Sequence, residues 1–159
     1  MRNGLWLAPL EAGKEPSLIR KTPGAERWLA EVSPDGRWIA YTSFEFESPE
    51  VYVEPVARSD ARFQVSARGG AEPHWRADGR ELFYLTADSY VASVPVTPGE
   101  TWQPQKAHVL FRAAVPDYAG TSDYHVTGDG KLFVVNTILG FPSVPPVQVV
   151  IGWRHLLSQ

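Results

Sequence analysis

The stretch Ser33-Pro34-Asp35-Gly36-Arg37, followed by Trp38-Ile39-Ala40-Tyr41, decides the fold of this chain. Proline fixes φ at about −65° and glycine accepts a positive φ, so Ser-Pro-Asp-Gly predicts a tight hairpin corner. The four residues after the corner are apolar on both alternating faces, which indicates a strand covered on both sides. We therefore expect a β-hairpin packed between neighbouring sheets.

The same corner recurs twice further along the chain. Residues 76–80 read Arg-Ala-Asp-Gly-Arg and residues 127–131 read Thr-Gly-Asp-Gly-Lys, and an apolar run follows each of them. A second element recurs with proline in its fifth place, which marks the end of a strand because proline lacks the N–H of a sheet ladder. This element spans residues 5–10, 51–56 and 91–96, and candidate outer strands follow at 17–20, 63–66 and 109–111.

Each repeat thus holds four short antiparallel strands in about 40 to 50 residues, the period of a β-propeller blade. No segment has sustained helical periodicity, so the predicted fold is all-β. We expect one propeller-type domain over residues 1–159, with its last unit showing three strands. Its parts are a half blade at 1–22 and blades at 23–68, 69–113 and 114–159.

These repeats resemble the TolB-type, WD-repeat-like β-propeller family, whose signature is a Ser-Pro-Asp-Gly-Arg/Lys corner followed by an aliphatic-aromatic strand. The resemblance covers nearly the whole chain; it is full at 33–37 and lacks the proline at 76–80 and 127–131. The chain is similar to the carboxy-terminal blades of TolB-like proteins and of propellers attached to bacterial serine/threonine kinases. The resemblance implies a binding surface, and a periplasmic location if the chain ends a longer TolB-like protein.

The strands sum to about three blades plus a remainder, whereas small propellers have at least four blades. The chain would then leave apolar faces and strand edges uncovered. We expect it to be the end of a longer propeller. The alternatives are a homo-oligomer in which a second copy completes the last blade, and closure within one chain by residues 5–10 or 17–20.

Composition excludes several classes of function. Lys and Arg total 15 and Asp and Glu total 18, so the net charge of −3 provides no basic field for nucleic acid. The absence of cysteine excludes disulfides and zinc–thiolate sites, and leaves the compartment undecided. The first ten residues resemble neither a signal peptide nor a membrane span.

Polar residues recur on the predicted inner strand of each unit, where propeller blades surround a central channel. Imidazole and carboxylate groups there predict a small polar ligand, or a divalent cation with His74 and His125 as candidate ligands. The alternative is that the side chains are solvated or bonded to the neighbouring blade. The candidates are Glu31, Glu72, His74, Asp123 and His125, with Glu72/His74 and Asp123/His125 expected to pair along their strands.

Aromatic residues in the longer connections are candidate anchors for a protein partner, because interfaces favour them. Packing of the loops themselves is the alternative. These residues are Phe44, Phe46, Trp102, Tyr118 and Phe141. The corner carboxylates Asp35, Asp78 and Asp129 are expected to satisfy turn backbone groups rather than to act in catalysis.

The sequence lacks the common motifs of hydrolases, nucleotide-binding enzymes, zinc proteases and kinases. It contains no Gly-x-Ser-x-Gly, no phosphate-binding Gly-x-x-x-x-Gly-Lys-Ser/Thr, no His-Glu-x-x-His and no kinase signature. We therefore expect a non-enzymatic module that binds a protein or a small ligand without a cofactor. The alternative is the propeller portion of a hydrolase or kinase whose catalytic domain lies outside this chain.

Overall fold

A computed structural model describes residues 4–21, 29–44, 48–57, 61–99, 101–113, 115 and 123–137, which form strands, turns and loops. The strands within these ranges make two four-stranded and two two-stranded antiparallel sheets. The prediction of an all-β chain built from four-stranded blades is confirmed. Across the same ranges, the structure has no helix of the length and apolarity that crossing a membrane requires.

The sheets follow one another along the chain, and neighbouring strands in each sheet are consecutive in sequence. We call β3–β6 the first blade and β7–β10 the second blade. The first sheet is β1 (Gly4–Leu7) and β2 (Ser17–Lys21). The first blade is β3 (Ala30–Val32), β4 (Trp38–Ser43), β5 (Glu50–Pro55) and β6 (Phe63–Gln64). The second blade is β7 (Gly70–Trp75), β8 (Glu81–Thr86), β9 (Tyr90–Pro95) and β10 (His108–Arg112). The last hairpin is β11 (Tyr124–Val126) and β12 (Phe133–Val135).

The recurring prolines end strands in both blades, as predicted. Pro55 is the last residue of β5 and Pro95 is the last residue of β9. The first copy differs, because β1 ends at Leu7 and Pro9 lies beyond it. Residues 138–159, which belong to the predicted last blade, lie outside the described residues.

The second blade is apolar on both faces, and its two faces form two separate cores. Side chains alternate along β8, so Leu82 and Tyr84 face the first blade while Phe83 and Leu85 face the last hairpin. The core between the two blades contains Trp38, Ala40, Val51, Val53, Trp75, Leu82, Tyr84, Ala92, Val94, Val96 and Trp102. The second core contains Phe83, Leu85, Val91, Ala113, Tyr124, Val126 and Phe133.

Among the described residues, the third repeat is covered on one face and open on the other, as the blade count predicts. Phe133 and Val135 pack against the second blade. Val134 points the opposite way and is 68% exposed, and Leu132 just before the strand is 38% exposed. Among the described residues, no further sheet covers this face, which is why the apolar run does not become buried on both sides.

The three Asp-Gly corners are built in nearly the same way, as the repeat predicts. Gly36, Gly79 and Gly130 have φ values of 72°, 68° and 71°, which L-residues rarely adopt. Within the first corner, the Ser33 hydroxyl and the Arg37 amide both donate to Oδ1 of Asp35, at 2.6 and 3.1 Å.

The carboxylates of the three corners serve the turns, as expected. The hydroxyl of Ser33 lowers the pKa of Asp35, and the hydroxyl of Thr127 lowers the pKa of Asp129. At the second corner a guanidinium replaces the hydroxyl, and Arg76 donates to both oxygens of Asp78 at 2.7 Å. This contact lowers the pKa of Asp78. All three carboxylates are thus held ionised by groups of their own turns.

Candidate functional site

The inner strands of the two blades and the last hairpin meet at an open cleft of about 230 Å³. Strand β3 packs beside β7, and β7 packs beside β11, so residues far apart in sequence line one space. Four of the five predicted inner-strand residues are among those lining it. The lining residues are Leu29, Ala30, Glu31, Glu72, Pro73, His74 and His125.

Glu31 and His74 connect the inner strands of the two blades. Nδ1 of His74 lies 3.0 Å from Oε2 of Glu31, and the backbone N–H of Trp75 donates to the same oxygen at 3.3 Å. The indole N–H of Trp75 also donates to the Glu31 carbonyl at 3.2 Å. A carboxylate accepts only, so the proton of a neutral His74 lies on Nδ1 and Nε2 is left as an acceptor.

Glu72 sits at a β-bulge, which changes the predicted pairing along β7. The register with β8 shifts between Ala71 and His74, and Glu72 has a φ of 55°. The backbone N–H of this buried residue donates to the hydroxyl of Thr42 in the first blade at 3.1 Å. The bulge turns Glu72 out of the alternation that placed it beside His74 on one face. Glu72 is thus joined to the first blade through its backbone, at Thr42.

Asp123 joins the last hairpin to the second blade through Glu72. Its backbone N–H donates to Oε2 of Glu72 at 2.8 Å, and its side chain is buried. Burial, the negative charge of Glu72 and a hydrogen bond with that carboxyl raise the pKa of Asp123 to about 6. Oδ1 of Asp123 is buried without a hydrogen-bond partner. The two carboxyls therefore form an electrostatically unfavourable pair when both are ionised.

The imidazole of His125 completes the cleft from the last hairpin. It is exposed, and its ring centroid lies 5.2 Å from that of His74 at nearly a right angle. Tyr124 lies on the other side, with its ring centroid 4.9 Å from His74. The Tyr124 hydroxyl donates to the Glu72 carbonyl at 2.9 Å, and burial and the nearby carboxylates raise its pKa well above the usual range. His74 thus contacts groups from the two sheets on either side of its own blade in the chain.

Metal binding was one predicted use of these side chains. Within the ranges that the structure describes, no three His, Cys, Asp or Glu side chains are grouped so that they would hold an ion. His74 and His125 are close, but the nearest carboxylate to His74, Glu31, is already bound to its Nδ1. The described residues therefore do not support the predicted divalent-cation site.

The aromatic residues predicted as partner anchors differ in how exposed they are. Phe44 is 44% exposed and available to a partner. Trp102 is only 6% exposed, with its ring 5.8 Å from the rings of both Trp38 and Trp75, so the packing alternative holds there and the anchor prediction is wrong. Its loop folds back because burial of a large aromatic side chain between blades is strongly favourable. Phe46, Tyr118 and Phe141 lie outside the described residues.

Three residues that hold the site were not predicted from the sequence: Thr42, Trp75 and Tyr124. Each supplies a donor or acceptor that crosses between sheets. The polar tips of buried Trp and Tyr side chains must find partners. The sequence does hold a signal for these contacts. Trp75 follows His74 and Tyr124 precedes His125, and each aromatic side chain has a polar tip that needs a partner.

Comparison with known proteins gives one partial likeness. No protein-family model matches the chain. Tricorn protease homolog 1 of Streptomyces coelicolor is 33% identical to it over 89 residues, which correspond to 52% of this chain. The chain spans 8% of that protein's length.

Proposed function

We propose that this chain is a non-enzymatic binding module made of β-propeller blades, and that the inner-strand cleft is its binding site. The observation that carries the proposal is the convergence of Glu31, Glu72, His74 and His125 from three sheets on one cleft. Side chains placed on packed strands are held more precisely than side chains on loops. A small polar group, free or part of a protein, is the expected ligand.

Contacts between blades account for only part of this arrangement. They use Nδ1 of His74 and Oε2 of Glu31. They leave Nε2 of His74 without a partner and His125 exposed at the rim. The Glu31 carboxylate and the His125 imidazole therefore remain open to a ligand in the cleft.

Blocking the cleft tests the proposal. Ala30 lines the cleft with an exposed side chain, so Ala30→Tyr would fill the space without disturbing a buried residue. Val109→Tyr is the control, because Val109 is 57% exposed on the outer strand β10. Compounds and peptides that bind the wild type, found by thermal shift and confirmed by calorimetry, should lose binding to Ala30→Tyr and keep it with Val109→Tyr. Equal binding by both variants would contradict the proposed site.

A second candidate is the propeller portion of a larger hydrolase or kinase whose catalytic domain lies elsewhere. The partial likeness to a protein named as a protease homologue favours a hydrolase over a kinase. In either case the isolated chain should not cleave a panel of fluorogenic peptides. Cleavage that His74→Ala or His125→Ala abolishes, while the fold survives, would refute the non-enzymatic assignment.

The uncovered face of the last hairpin supports a proposal about its surroundings. Leu132 and Val134 occupy the side that, in each preceding blade, packs against the next sheet. We propose that a further blade of a longer chain covers this face. Sedimentation of the isolated chain at known concentration should then give a monomer. A compact dimer that Val134→Lys dissociates would show instead that a second copy covers it.

A further inference from the structure

The cleft has a consistent chemical character, which narrows the ligand. Its polar walls include two carboxyl side chains, from Glu31 and Glu72, and the Asp123 carboxyl lies directly behind Glu72. None of the described residues that line it is a lysine or arginine. The cleft therefore has a negative potential, and it favours a positively charged ligand over an anion.

The Glu31 carboxylate offers the cleft an exposed hydrogen-bond acceptor, and the exposed imidazole of His125 lines the same space. The His74 imidazole holds Oε2 of Glu31 through Nδ1, and its own Nε2 is buried out of reach of a ligand. The Glu31 side chain is 40% exposed, and its contacts with His74 and Trp75 use Oε2. A ligand with several N–H donors would satisfy the lone pairs of the Glu31 carboxylate that these contacts leave open.

The remaining walls suit an aliphatic stem. Leu29, Ala30 and Pro73 are apolar and line the same cleft. Long basic side chains bury their methylene groups along such surfaces while their charged ends reach polar groups. A volume of about 230 Å³ accommodates one such side chain.

We propose that the cleft binds an organic cation with several N–H donors, an ammonium or guanidinium group on a short aliphatic stem. The proposal rests on the proposed binding function and specifies its ligand. The head group donates to the Glu31 carboxylate, and the stem lies on Leu29 and Pro73. The cation is either a free amine or a lysine or arginine side chain of a partner.

A matched pair of peptides isolates the charge of the ligand. Acetyl-Ala-arginyl-Ala-amide and the same peptide with citrulline have nearly the same shape, but citrulline is neutral. By calorimetry on the whole chain, the arginine peptide should bind roughly tenfold or more tightly than the citrulline peptide, since charge-assisted hydrogen bonds are about twice as strong as neutral ones. n-Butylguanidinium distinguishes a free cation from a side chain of a partner protein. If it binds as tightly as the arginine peptide, the ligand is a free cation; if the arginine peptide binds more tightly, the ligand is a protein side chain.

Variants then place the ligand in the cleft. Glu31→Gln removes the charge and keeps an oxygen for Trp75, so it should weaken the arginine peptide roughly tenfold. Glu15→Gln, at an exposed position outside the cleft, is the control and should leave the affinity unchanged. The comparison of the arginine and citrulline peptides needs no variant. It therefore tests the preference for a cation even where Glu31→Gln alters the fold.

The outcomes separate this proposal from the binding function on which it rests. Equal binding of the arginine and citrulline peptides, blocked by Ala30→Tyr, would overturn the cation proposal and leave the cleft as a binding site. Preference for an anionic probe, such as a glutamate peptide, would do the same. Absence of binding by both the arginine peptide and n-butylguanidinium would overturn the cation proposal, while the blocking experiment on Ala30 decides the binding function separately.

Discussion

Replacing Asp123 by asparagine should change how the stability of this protein depends on pH. The buried carboxyls of Asp123 and Glu72 repel each other when both are ionised, and the pKa of Asp123 is raised from 3.8 to about 6. The native state therefore keeps a proton between about pH 4 and pH 6 that the unfolded chain releases. The contribution of Asp123 to stability accordingly falls as the pH rises through this window, and the loss is complete above the folded pKa.

The shift in the pKa of Asp123 sets how much the free energy of unfolding changes with pH. One pKa unit corresponds to about 1.4 kcal/mol, so a shift of this size corresponds to at most about 3 kcal/mol. The asparagine side chain of the variant stays neutral at every pH, and the substitution keeps the backbone N–H that donates to Glu72. The free energy of unfolding of the Asp123→Asn variant should thus exceed that of the wild type by about 1 kcal/mol at pH 4.5, and the excess should grow to at most about 3 kcal/mol at pH 7.5.

Urea unfolding followed by tryptophan fluorescence at pH 4.5, 5.5, 6.5 and 7.5 measures this difference. Asp88→Asn is the matched control, because a hydrogen bond from Thr86 lowers the pKa of the exposed Asp88, which is ionised throughout this range. Its difference from the wild type should not vary with pH. A difference for Asp123→Asn that is likewise constant from pH 4.5 to 7.5 would refute the carboxyl-pair argument.

Three further predictions concern packing, and the urea midpoint measures each. Trp102→Ala should cost about 3–5 kcal/mol because it leaves a cavity between the blades, whereas Val109→Ala on the exposed outer strand should stay within about 0.5 kcal/mol. Gly70→Ala should cost about 1–3 kcal/mol, since the added Cβ would lie 2.7 Å from a serine Cβ; Gly99→Ala, with open space, should be nearly neutral. Tyr124→Phe should cost about 1 kcal/mol by removing a buried hydrogen bond. Equal effects within either pair, or an unchanged midpoint for Tyr124→Phe, would contradict the packing described.

The blades were predictable because their signals are local. A corner such as Ser33-Pro34-Asp35-Gly36 determines its own backbone conformation through proline, glycine and a hydrogen bond from the Arg37 amide to the nearby Asp35 side chain. The two apolar faces of the strand after it indicate that both faces are buried, and β4 is buried along its whole length. Prolines in the fifth place, such as Pro55 and Pro95, fix the strand ends. Short-range chemistry and periodicity were therefore sufficient for the fold class.

The partners of the site residues were not predictable, because they depend on a bulge and on how the sheets dock. Alternation along an ideal strand placed Glu72 beside His74, but a residue with a φ of 55° breaks that alternation. No glycine or asparagine marks the position. Likewise, nothing local shows that Trp102 returns to the interface between the blades, since only the neighbouring tryptophans make that position favourable.

The cleft is a property of docked blades rather than of any single blade. Glu31 comes from the first blade, His74 from the second and His125 from the last hairpin, so the acceptors converge only while the two apolar cores hold the sheets together. A ligand that spans Glu31 and His125 binds the docked state and not the separated blades. By linkage, such a ligand stabilises the docked arrangement in proportion to its concentration above the dissociation constant. Binding at the cleft and cohesion of the blades are therefore thermodynamically coupled, even though the residues responsible lie in different parts of the molecule.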